Sequence, residues 1–427
     1  MTTTARRTLV AAWGLFVAVL FLMLGRGLVG VLLGVRAEFE GFSTTTTGII
    51  MASYFVGFLV GSQVTPRMMA RVGHIRVFSG LASLVAVAAL AHALWVAPAP
   101  WVLLRLLFGF CMAGLIVVTE SWLNESVTND NRGRVMGIYM VFSMGGIGLG
   151  QLMLGGGDPS EMTLFLVAGA LVSLAVVPIS LSIGSAPEFT LPPKLRAREI
   201  WKAAPLGIVA ALLTGMANAA LLAMAAVYAT QLGMSLGRTA LFAGTAAFGA
   251  VLLQWPIGRV SDIVGRRRMI VIVSASAAAV GFTAAGLDPE SPAILFAMFL
   301  FGGLSFPVYS LALSHVIDVL PAGQAVTASA TNIFVTGVGA ILGPLIAAAA
   351  MTAYGPDGLW WTVAGAQAII GLFAIFRLIR RPVIEGITPE PYVPVPARST
   401  ILLRLTRGDG KRGKESEKEK EGDDRPQ

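Results

Sequence analysis

The sequence predicts an all-α integral membrane protein with twelve transmembrane helices in two related six-helix bundles. The composition is the first reason: of the 427 residues, 56% are hydrophobic and 13% are charged, against about 45–50% and about 25% in soluble domains. A soluble protein of this size would lack the polar surface to cover such a core. Apolar stretches of membrane length and motifs that recur between the two halves are the other reasons. The composition therefore excludes a soluble enzyme.

The apolar stretches follow one another from residue 9 to residue 379. A hydrocarbon core about 30 Å thick requires about 20 apolar residues in a helix. The first stretch follows Arg6 and Arg7 as a signal peptide would, but it is too long for a secretory core, so we interpret it as an uncleaved helix. The predicted spans are 9–35, 45–66, 76–97, 100–122, 135–154, 162–183, 203–231, 237–257, 268–287, 292–316, 325–352 and 358–379.

Basic residues predict the orientation in the membrane, because cytoplasmic segments are enriched in lysine and arginine. An even number of spans places both termini on one side. The opposite side holds only Arg36 and Arg238, so both termini are expected in the cytoplasm, with the protein in the bacterial inner membrane. This asymmetry accounts for the net charge of +8 without a nucleic-acid partner. The seventeen basic residues on the predicted cytoplasmic side are Arg6, Arg7, Arg67, Arg71, Arg76, Arg132, Arg134, Lys194, Arg196, Arg198, Lys202, Arg259, Arg266, Arg267, Arg268, Arg377 and Arg380.

The chain divides into four predicted regions. Residues 1–183 form an N-terminal six-helix bundle, and residues 203–380 form a C-terminal one. Residues 184–202 are rich in proline and basic side chains, which is typical of a linker and here predicts a cytoplasmic one. Residues 381–427 become highly charged with little apolar surface to bury, so we expect a disordered cytoplasmic tail whose role is open.

The two halves share short motifs at a constant spacing. VGHIR (72–76) recurs as VGRRR (264–268) at an offset of 192, and LFG (107–109) recurs as LFG (300–302) at an offset of 193. At the second offset, Trp122 corresponds to His315 and Glu125 corresponds to Asp318. Two offsets that agree within one residue indicate a duplicated unit.

Duplicated six-span halves are typical of transporters, in which two bundles rock about a site at their interface. The stretch GRVSDIVGRRR (258–268) resembles the signature cytoplasmic loop of the major facilitator superfamily. RLLFGFCMAG (105–114) resembles its arginine-containing fourth-span motif, and VGAILGP (338–344) resembles its Gly-Pro motif. The combination of VGHIR, ESWLN, NRGR, PVYSLALSH and Asp318 is similar to the YcaD-like bacterial branch. The resemblance covers residues 10–380 and implies a transporter whose first and fourth spans line a central cavity.

The resemblance also implies that the 258–268 loop acts as a latch for one conformational state. The glycines suit close helix approach and a turn with positive φ. Asp262 is expected at a helix start, facing Arg259 or Arg266. The first-half copy has Pro66 and Ala70 where the first glycine and the aspartate would stand, so the latch is expected to be asymmetric. The predicted latch residues are Gly258, Arg259, Asp262, Gly265 and Arg266.

Arg26 and Arg105 are predicted to lie inside the first and fourth spans. A charge within the membrane costs at least about 2.5–3.5 kcal/mol, so such residues face the protein interior. At about 1.5 Å per residue, Arg26 lies about 25 Å from the cytoplasmic face and Arg105 about 6 to 8 Å from the outer face. Both are expected in the outer half and are candidates to bind an anionic substrate group. Bracing of neighbouring helices is the alternative role.

Other polar residues are candidates for the substrate pathway and its gates. Tyr309 and Asn332 lie in apolar spans, as does Gln254, and are candidate substrate-binding residues, with interhelical hydrogen bonding as the equal alternative. No acid before the tail lies at the midpoint of a predicted span, which argues against a midplane proton carrier. The candidates for proton coupling or gating at the cytoplasmic mouth are Glu120, Trp122, Asn124, His315 and Asp318, with interfacial anchoring as the alternative for Trp122.

Several other classes of function lack the residues that they require. The sequence has no GxxxxGK[ST] phosphate loop, so ATP is not expected to drive the protein directly. The predicted spans hold no paired carboxylates and no Ser-Lys dyad, which argues against an intramembrane enzyme. Cys111 is the single cysteine and His74, His92 and His315 are scattered, so we expect no metal, no redox centre and no cofactor.

The sequence therefore predicts a secondary active transporter that moves a small solute across the bacterial cytoplasmic membrane by alternating access. We expect a monomer in the lipid bilayer, with protons as a candidate coupling ion and a weak preference for an organic anion. Two alternatives stay open: a non-transporting sensor or receptor on the same fold, and proton-driven efflux of hydrophobic toxins. Neither the substrate nor the direction of transport is encoded in a recognised motif.

Overall fold

A bundle of twelve long helices dominates the computed structural model, which describes residues 3–125, 132–180, 197–320 and 325–380. Twelve spans among the described residues are long and apolar enough to cross a membrane, which confirms the predicted number. The sixth span, Thr163–Ser180, combines the sixth helix with the short helix Val176–Ser180. Another short helix, Ala197–Ala203, precedes the seventh helix. The helices are α1 (Thr3–Phe39), α2 (Thr44–Val72), α3 (His74–Leu94), α4 (Pro98–Glu125), α5 (Arg132–Leu152), α6 (Thr163–Leu174), α7 (Pro205–Gln231), α8 (Leu236–Val264), α9 (Arg266–Ala284), α10 (Pro292–Val319), α11 (Ala325–Tyr354) and α12 (Gly358–Arg380).

Within each half, successive helices run in opposite directions, because the connections between them are short. Gln231, at the end of α7, contacts Glu38, at the end of α1, so corresponding ends of the two halves lie together and the bundle has two ends. We call the end with the α2–α3 and α8–α9 connections the basic end, since Arg71, Arg76, Arg266 and Arg380 lie there. The other is called the opposite end. Most of the predicted linker and the whole predicted tail, residues 381–427, lie outside the described residues, so their assignments stay predictions.

Serine caps begin three of the helices at the opposite end. The Ser43 hydroxyl accepts a hydrogen bond from the Thr46 amide at 3.2 Å, and Ser235 and Ser291 cap α8 and α10 in the same way. Each cap satisfies one of the backbone amides that a helix leaves unpaired in its first turn. These serines therefore define where α2, α8 and α10 enter the bundle.

The predicted loop at 258–268 is mostly helical, which corrects the sequence-based expectation. Helix α8 continues through Val264, and Gly265, with φ of 92°, is the one residue between α8 and α9. Gly73, with φ of 83°, separates α2 from α3 in the same way. The positive φ expected at Gly265 is confirmed. Asp262, however, lies in the last turn of α8 rather than at a helix start, because the helix does not end before the single glycine.

Each half of the bundle repeats the same packing of six helices. In the first half, α1 packs on α5 and α6, α2 packs on α4, and α3 packs on α4 and α6. In the second half, α7 packs on α11 and α12, α8 packs on α10, and α9 packs on α10 and α12. A shift of six helices therefore maps one half on the other, as the repeated motifs predict.

Glycines allow the paired helices to approach backbone to backbone. A Cβ built on Gly57 of α2 would overlap the carbonyl oxygen of Leu106 on α4. In the second half, a Cβ on Gly302 of α10 would overlap the carbonyl oxygen of Ala246 on α8. Small residues allow such close contact between membrane helices, where packing replaces the hydrophobic effect as the driving force.

Gly57→Ala is expected to lower the thermal stability of the protein, because the new methyl group has no space beside Leu106. Overpacking of this kind costs about 1–3 kcal/mol. Thermal unfolding in detergent measures the effect. Gly80→Ala is the matched control, since a Cβ at that position meets nothing within 4 Å. Equal melting temperatures for the two variants would contradict the close α2–α4 packing.

The interface between the halves is formed mainly by α1 with α7, α2 with α11 and α5 with α8, and α2 also contacts α7. At the opposite end, the Gln231 amide on α7 donates to the Glu38 carboxylate at 3.2 Å and to the Thr44 hydroxyl at 2.9 Å. The hydroxyls of Thr45 and Thr352 lie 3.3 Å apart at the same end. Polar contacts therefore join the two halves at the opposite end.

Candidate functional site

Two adjoining chambers lie between the halves of the bundle. The larger chamber, of about 930 Å³, is lined by residues of α1, α2, α4, α5, α7, α8, α10 and α11. The smaller chamber, of about 430 Å³, is lined by α1, α2, α4, α5 and α7. Four residues line both chambers: Arg26, Phe55, Ile147 and Leu222. Since both halves contribute to its walls, the larger chamber changes shape whenever the halves move relative to one another.

Arg26 and Arg105, the two predicted intramembrane cations, are brought together at the smaller chamber. The guanidinium carbon of Arg105 lies 4.7 Å from the centre of the Tyr54 ring, and that of Arg26 lies 5.6 Å from it. An aromatic face stabilises such cations through its negative quadrupole. Tyr54 therefore holds two like charges in one place without neutralising either.

Helix α1 continues to Phe39, beyond the predicted end of the first span at residue 35. Arg26 lies in the half of α1 that is nearer the opposite end, and its depth in the membrane stays a prediction. Arg105 also lies toward the opposite end, in the second turn of α4 after Pro98.

Glu120 is the one carboxylic acid among the described residues that line either chamber. It is 1% exposed and lies in the part of α4 nearest the basic end. The Tyr139 hydroxyl on α5 donates a hydrogen bond to Glu120 Oε1 at 3.0 Å. Both side chains line the larger chamber, which Arg26 also lines. The larger chamber therefore holds a titratable acid toward the basic end and a cation at its junction with the smaller chamber.

The second half supplies a polar wall to the larger chamber. Thr214 and Asn218 stand one helical turn apart on α7 and both line it, as does Thr336 on α11. A buried hydrogen-bond chain orients Asn218: Gln367 donates to the Ser305 hydroxyl, which donates to Asn218 Oδ1, both at 2.6 Å. Residues of α10 and α12 therefore fix how Asn218 presents its amide to the chamber.

Other predicted site residues lie outside the two chambers. Tyr309 and Asn332 are buried in the protein interior and belong to the lining of neither chamber, so we leave them out of the proposed site. His315 is likewise buried near the basic end of α10. Trp122 is 7% exposed and packs in the hydrophobic core, where it cannot serve as an interfacial anchor. The side chain of Asn124 lies outside the described residues.

Sequence reasoning missed Tyr54, Tyr139, Thr214 and Thr336. Each is an isolated polar side chain in an apolar helix, and nothing local separates one that faces a cavity from one that faces a neighbouring helix. The sequence does hold one pattern that points to Tyr139. Ser143 and Ile147 follow it at intervals of four residues, which places all three on one face of α5, and all three line the larger chamber.

Comparison with known families decides the identity of this fold. The sequence profile described as Major Facilitator Superfamily matches residues 15–335 and 206–410. The chain belongs to the major facilitator superfamily. Membership confirms the superfamily that the sequence motifs indicated, and it makes the chain a multi-pass membrane protein of a transporter family.

Relatives of the superfamily support the same assignment. A protein of Escherichia fergusonii described as uncharacterized MFS-type transporter YcaD is 27% identical over 353 residues, which cover 80% of this chain and 88% of that protein. The nucleoside transporter NupG superposes with a TM-score of 0.72 at 14% identity, over 86% of this chain and 98% of NupG. A bacterial homologue of the human lysosomal transporter Spinster, in an inward-facing and occupied conformation, gives 0.67 at 16% identity, over 87% and 96% of the two chains. At these identities the structures establish a shared fold.

The motif at 258–268 contributes to an ion-pair cluster within the second half. Arg266 is buried as the first residue of α9, directly after Gly265. Its Nε donates to Asp318 Oδ2 on α10 at 2.5 Å. Asp318, predicted as a gate residue, therefore meets a residue of the predicted latch. The cluster connects α8, α9 and α10 at the basic end.

The sequence left open whether Asp262 faces Arg259 or Arg266, and the structure selects Arg266. Asp262 Oδ1 lies 3.6 Å from Arg266 Nη1, one helical turn away. The Arg259 guanidinium instead lies 5.7 Å from the centre of the Trp255 ring. Gly258 is buried in the last turns of α8. Arg266 is therefore the centre of the cluster, with Asp318 as its closer partner.

Asp318→Asn is expected to lower the melting temperature more than Asp262→Asn, because Asp318 lies closer to the buried Arg266 and is itself less exposed. Loss of a hydrogen bond to a charged group costs about 1.5–3 kcal/mol, and partial exposure reduces this toward about 1 kcal/mol. Thermal unfolding of the two variants in one detergent measures the difference. An equal loss in both variants would contradict the assignment of Asp318 as the principal partner.

Proposed function

We propose that this protein is a secondary active transporter that carries a small organic solute across the bacterial cytoplasmic membrane by alternating access. The proposal rests mainly on one observation: two chambers lie between the two halves of the bundle and share Arg26 as a common wall. A site at the interface of two repeats becomes open to either side as the repeats rock. Binding of an anionic group of the solute by Arg26 and Arg105 completes the proposal.

The contacts between the halves support one closed gate. Gln231 bridges α7 to Glu38 and Thr44 at the opposite end, and Thr45 meets Thr352 there. The larger chamber extends from the level of Arg26 toward Glu120 and the basic end. In this arrangement a solute enters or leaves through the basic end, and transport requires the contacts at the opposite end to separate.

The basic end is proposed to face the cytoplasm, since positively charged segments are retained on that side. The chain is proposed to work as a monomer, because residues of one chain suffice to line both chambers. Reporters that are active only in the cytoplasm or only in the periplasm, each fused after Arg380, test the orientation. The cytoplasmic reporter is expected to be active, and activity of the periplasmic reporter alone would contradict the proposed orientation.

Glu120 is proposed to couple transport to protons. Arg26 and Arg105 attract an anion, whereas an ionised Glu120 repels it across the same cavity. Protonation of Glu120 removes that repulsion, so a proton and an organic anion promote each other's binding, and the coupling is reciprocal. The arrangement therefore favours movement of the anion together with a proton.

Solute profiling of a deletion strain tests the proposed transport function. Accumulation and release of metabolites and toxins are compared among the deletion strain, the strain complemented with the wild-type chain and the strain complemented with Glu120→Gln. At least one solute is expected to change its distribution when the wild-type gene is restored, in either direction, and to depend on the proton gradient. Identical profiles of all three strains across the panel would contradict a transport function.

A further inference from the structure

We propose that the two chambers together select an amphipathic organic monoanion, with its carboxylate in the smaller chamber and an aromatic or other bulky apolar body in the larger one. This inference rests on the proposed transport function and gives it a substrate class. It excludes small hydrophilic anions and organic cations as principal substrates.

The smaller chamber presents donors that have no protein acceptor among the described residues. Arg105 is 5% exposed, its Nε has no hydrogen-bond partner, and its Nη2 contacts only the weak acceptor Met51 Sδ at 3.6 Å. The buried Tyr54 hydroxyl also has no partner. Both side chains line the chamber, together with Arg26. A buried donor without a partner is costly, and a carboxylate that accepts from these groups removes the cost.

Gln151 adds a further polar group to the wall of the smaller chamber. Its buried Oε1 has no partner among the described residues. An acceptor beside two cationic donors matches a head group that also carries a hydroxyl or an N–H. A solute therefore needs a carboxylate to pair with the arginines of the smaller chamber. A hydroxyl or N–H group beside that carboxylate can also donate a hydrogen bond to Gln151.

The larger chamber is built to contact apolar surface. Phe55 and Phe58 line it from α2, and Phe306 lines it from α10. Met140 and Met144 line it from α5, and methionine side chains adapt to apolar shapes of different outline. Ligand sites of this kind combine apolar walls with a few placed polar groups. The body of the solute is therefore apolar, and rings suit the phenylalanine walls.

The two chambers adjoin, since Arg26, Phe55, Ile147 and Leu222 line both. One molecule that passes between these four side chains would occupy both chambers. A single carboxylate has two oxygens that can accept hydrogen bonds from both arginines at the smaller chamber. A second anionic group would enter the larger chamber, whose one charged residue besides Arg26 is Glu120. The charge pattern therefore favours a monoanion.

Binding to the purified full-length chain in lipid nanodiscs tests the proposal. The acidic probes are 3-phenylpropionate, indole-3-acetate and octanoate. The matched comparisons are 3-phenylpropanamide, which keeps the body without the charge, 2-phenylethylammonium, which reverses the charge, and propionate, which lacks the body. At least one acidic probe is expected to bind at least about tenfold more tightly than each of the three comparisons, a difference of about 1.4 kcal/mol.

Two conservative variants locate the binding. Tyr54→Phe removes one hydroxyl and keeps the ring beside the arginines, so it should weaken binding of the acidic probe about threefold or more without changing the amide. Phe306→Leu should weaken the acid and the amide together, because both lose the same contact with the ring. Phe282→Leu, at a side chain exposed on the outside of the bundle, is the control and should change neither.

The outcomes separate this inference from the transport function. If none of the acids binds more tightly than the amide or the ammonium compound, or if propionate binds equally well, the substrate class is wrong. Transport of another solute in the deletion-strain profiles would then leave the proposed function intact. Tight binding of an acid that the wild-type chain does not move into or out of vesicles would instead support the site and contradict the transport function.

Discussion

Arg26→Gln is expected to weaken binding of the transported anion by about 10- to 150-fold, which corresponds to the roughly 1.5–3 kcal/mol of a charged hydrogen bond. Arg26 is the cation at the junction of the two chambers, and glutamine keeps a hydrogen-bonding side chain while it removes the charge. Equilibrium binding to the purified variant measures the change. The effect should exceed that of any substitution on the polar wall of the second half, where the groups are neutral.

Arg26→Lys should recover only part of the affinity, because an ammonium group cannot reproduce the planar fork of a guanidinium. Arg71→Gln, an exposed residue at the basic end, controls for the loss of one positive charge elsewhere. If Arg26→Gln binds the transported solute as tightly as the wild type does, Arg26 is a structural brace and the anion site is wrong.

Glu120→Gln is expected to abolish uphill accumulation of the solute while counterflow exchange continues. Glutamine mimics the protonated acid, and it can still accept the hydrogen bond that Tyr139 donates. The variant lacks the charge that couples anion binding to the proton, so its affinity for the anion should no longer depend on pH. Uptake and exchange in proteoliposomes with an imposed proton gradient measure the two activities separately.

Glu161→Gln, at an exposed residue of the opposite end, is the matched control and should retain both activities. Accumulation by Glu120→Gln at the wild-type level would show that the proton is carried by another group. Loss of both accumulation and exchange would contradict the specific role in coupling, since a purely structural role predicts that result.

The number of helices and the duplication of one half in the other could be predicted, because a bilayer imposes a length on every span and because the halves repeat their motifs. Because a charge exposed to lipid is costly, Arg105 was expected in the protein interior, and the structure buries it there. The sequence could not give the end of α1, because that helix continues past its apolar residues to Phe39. The apolar content of a stretch shows which residues cross the hydrocarbon core, but it does not show where the helix ends.

The candidate site was only partly predictable for a related reason. Arg26, Arg105 and Glu120 attract attention because charges inside a membrane are costly, and all three line a chamber. Tyr54 and Thr214 carry no charge, so their direction depends on which helices pack beside them. The pairing of Asp318 with Arg266 joins residues 52 positions apart, and only the packing of α9 on α10 brings them together.

The central claim is that the opposite end opens to expose the chambers, and a reversible cross-link tests it most directly. In a Cys111→Ala background, Thr45→Cys and Thr352→Cys place thiols at positions whose native hydroxyls lie 3.3 Å apart. Oxidation is expected to join α2 to α11, with the bond verified by gel mobility. Leu222→Cys reports access to both chambers, and its labelling by an impermeant maleimide is followed by peptide mass spectrometry.

Before oxidation, the Leu222→Cys position should be labelled from both faces of oriented vesicles, since the two halves exchange between states. After oxidation, labelling from the opposite end should stop while labelling from the basic end continues, and reduction should restore both. Labelling from the opposite end that persists in the verified cross-linked protein would contradict alternating access through these contacts.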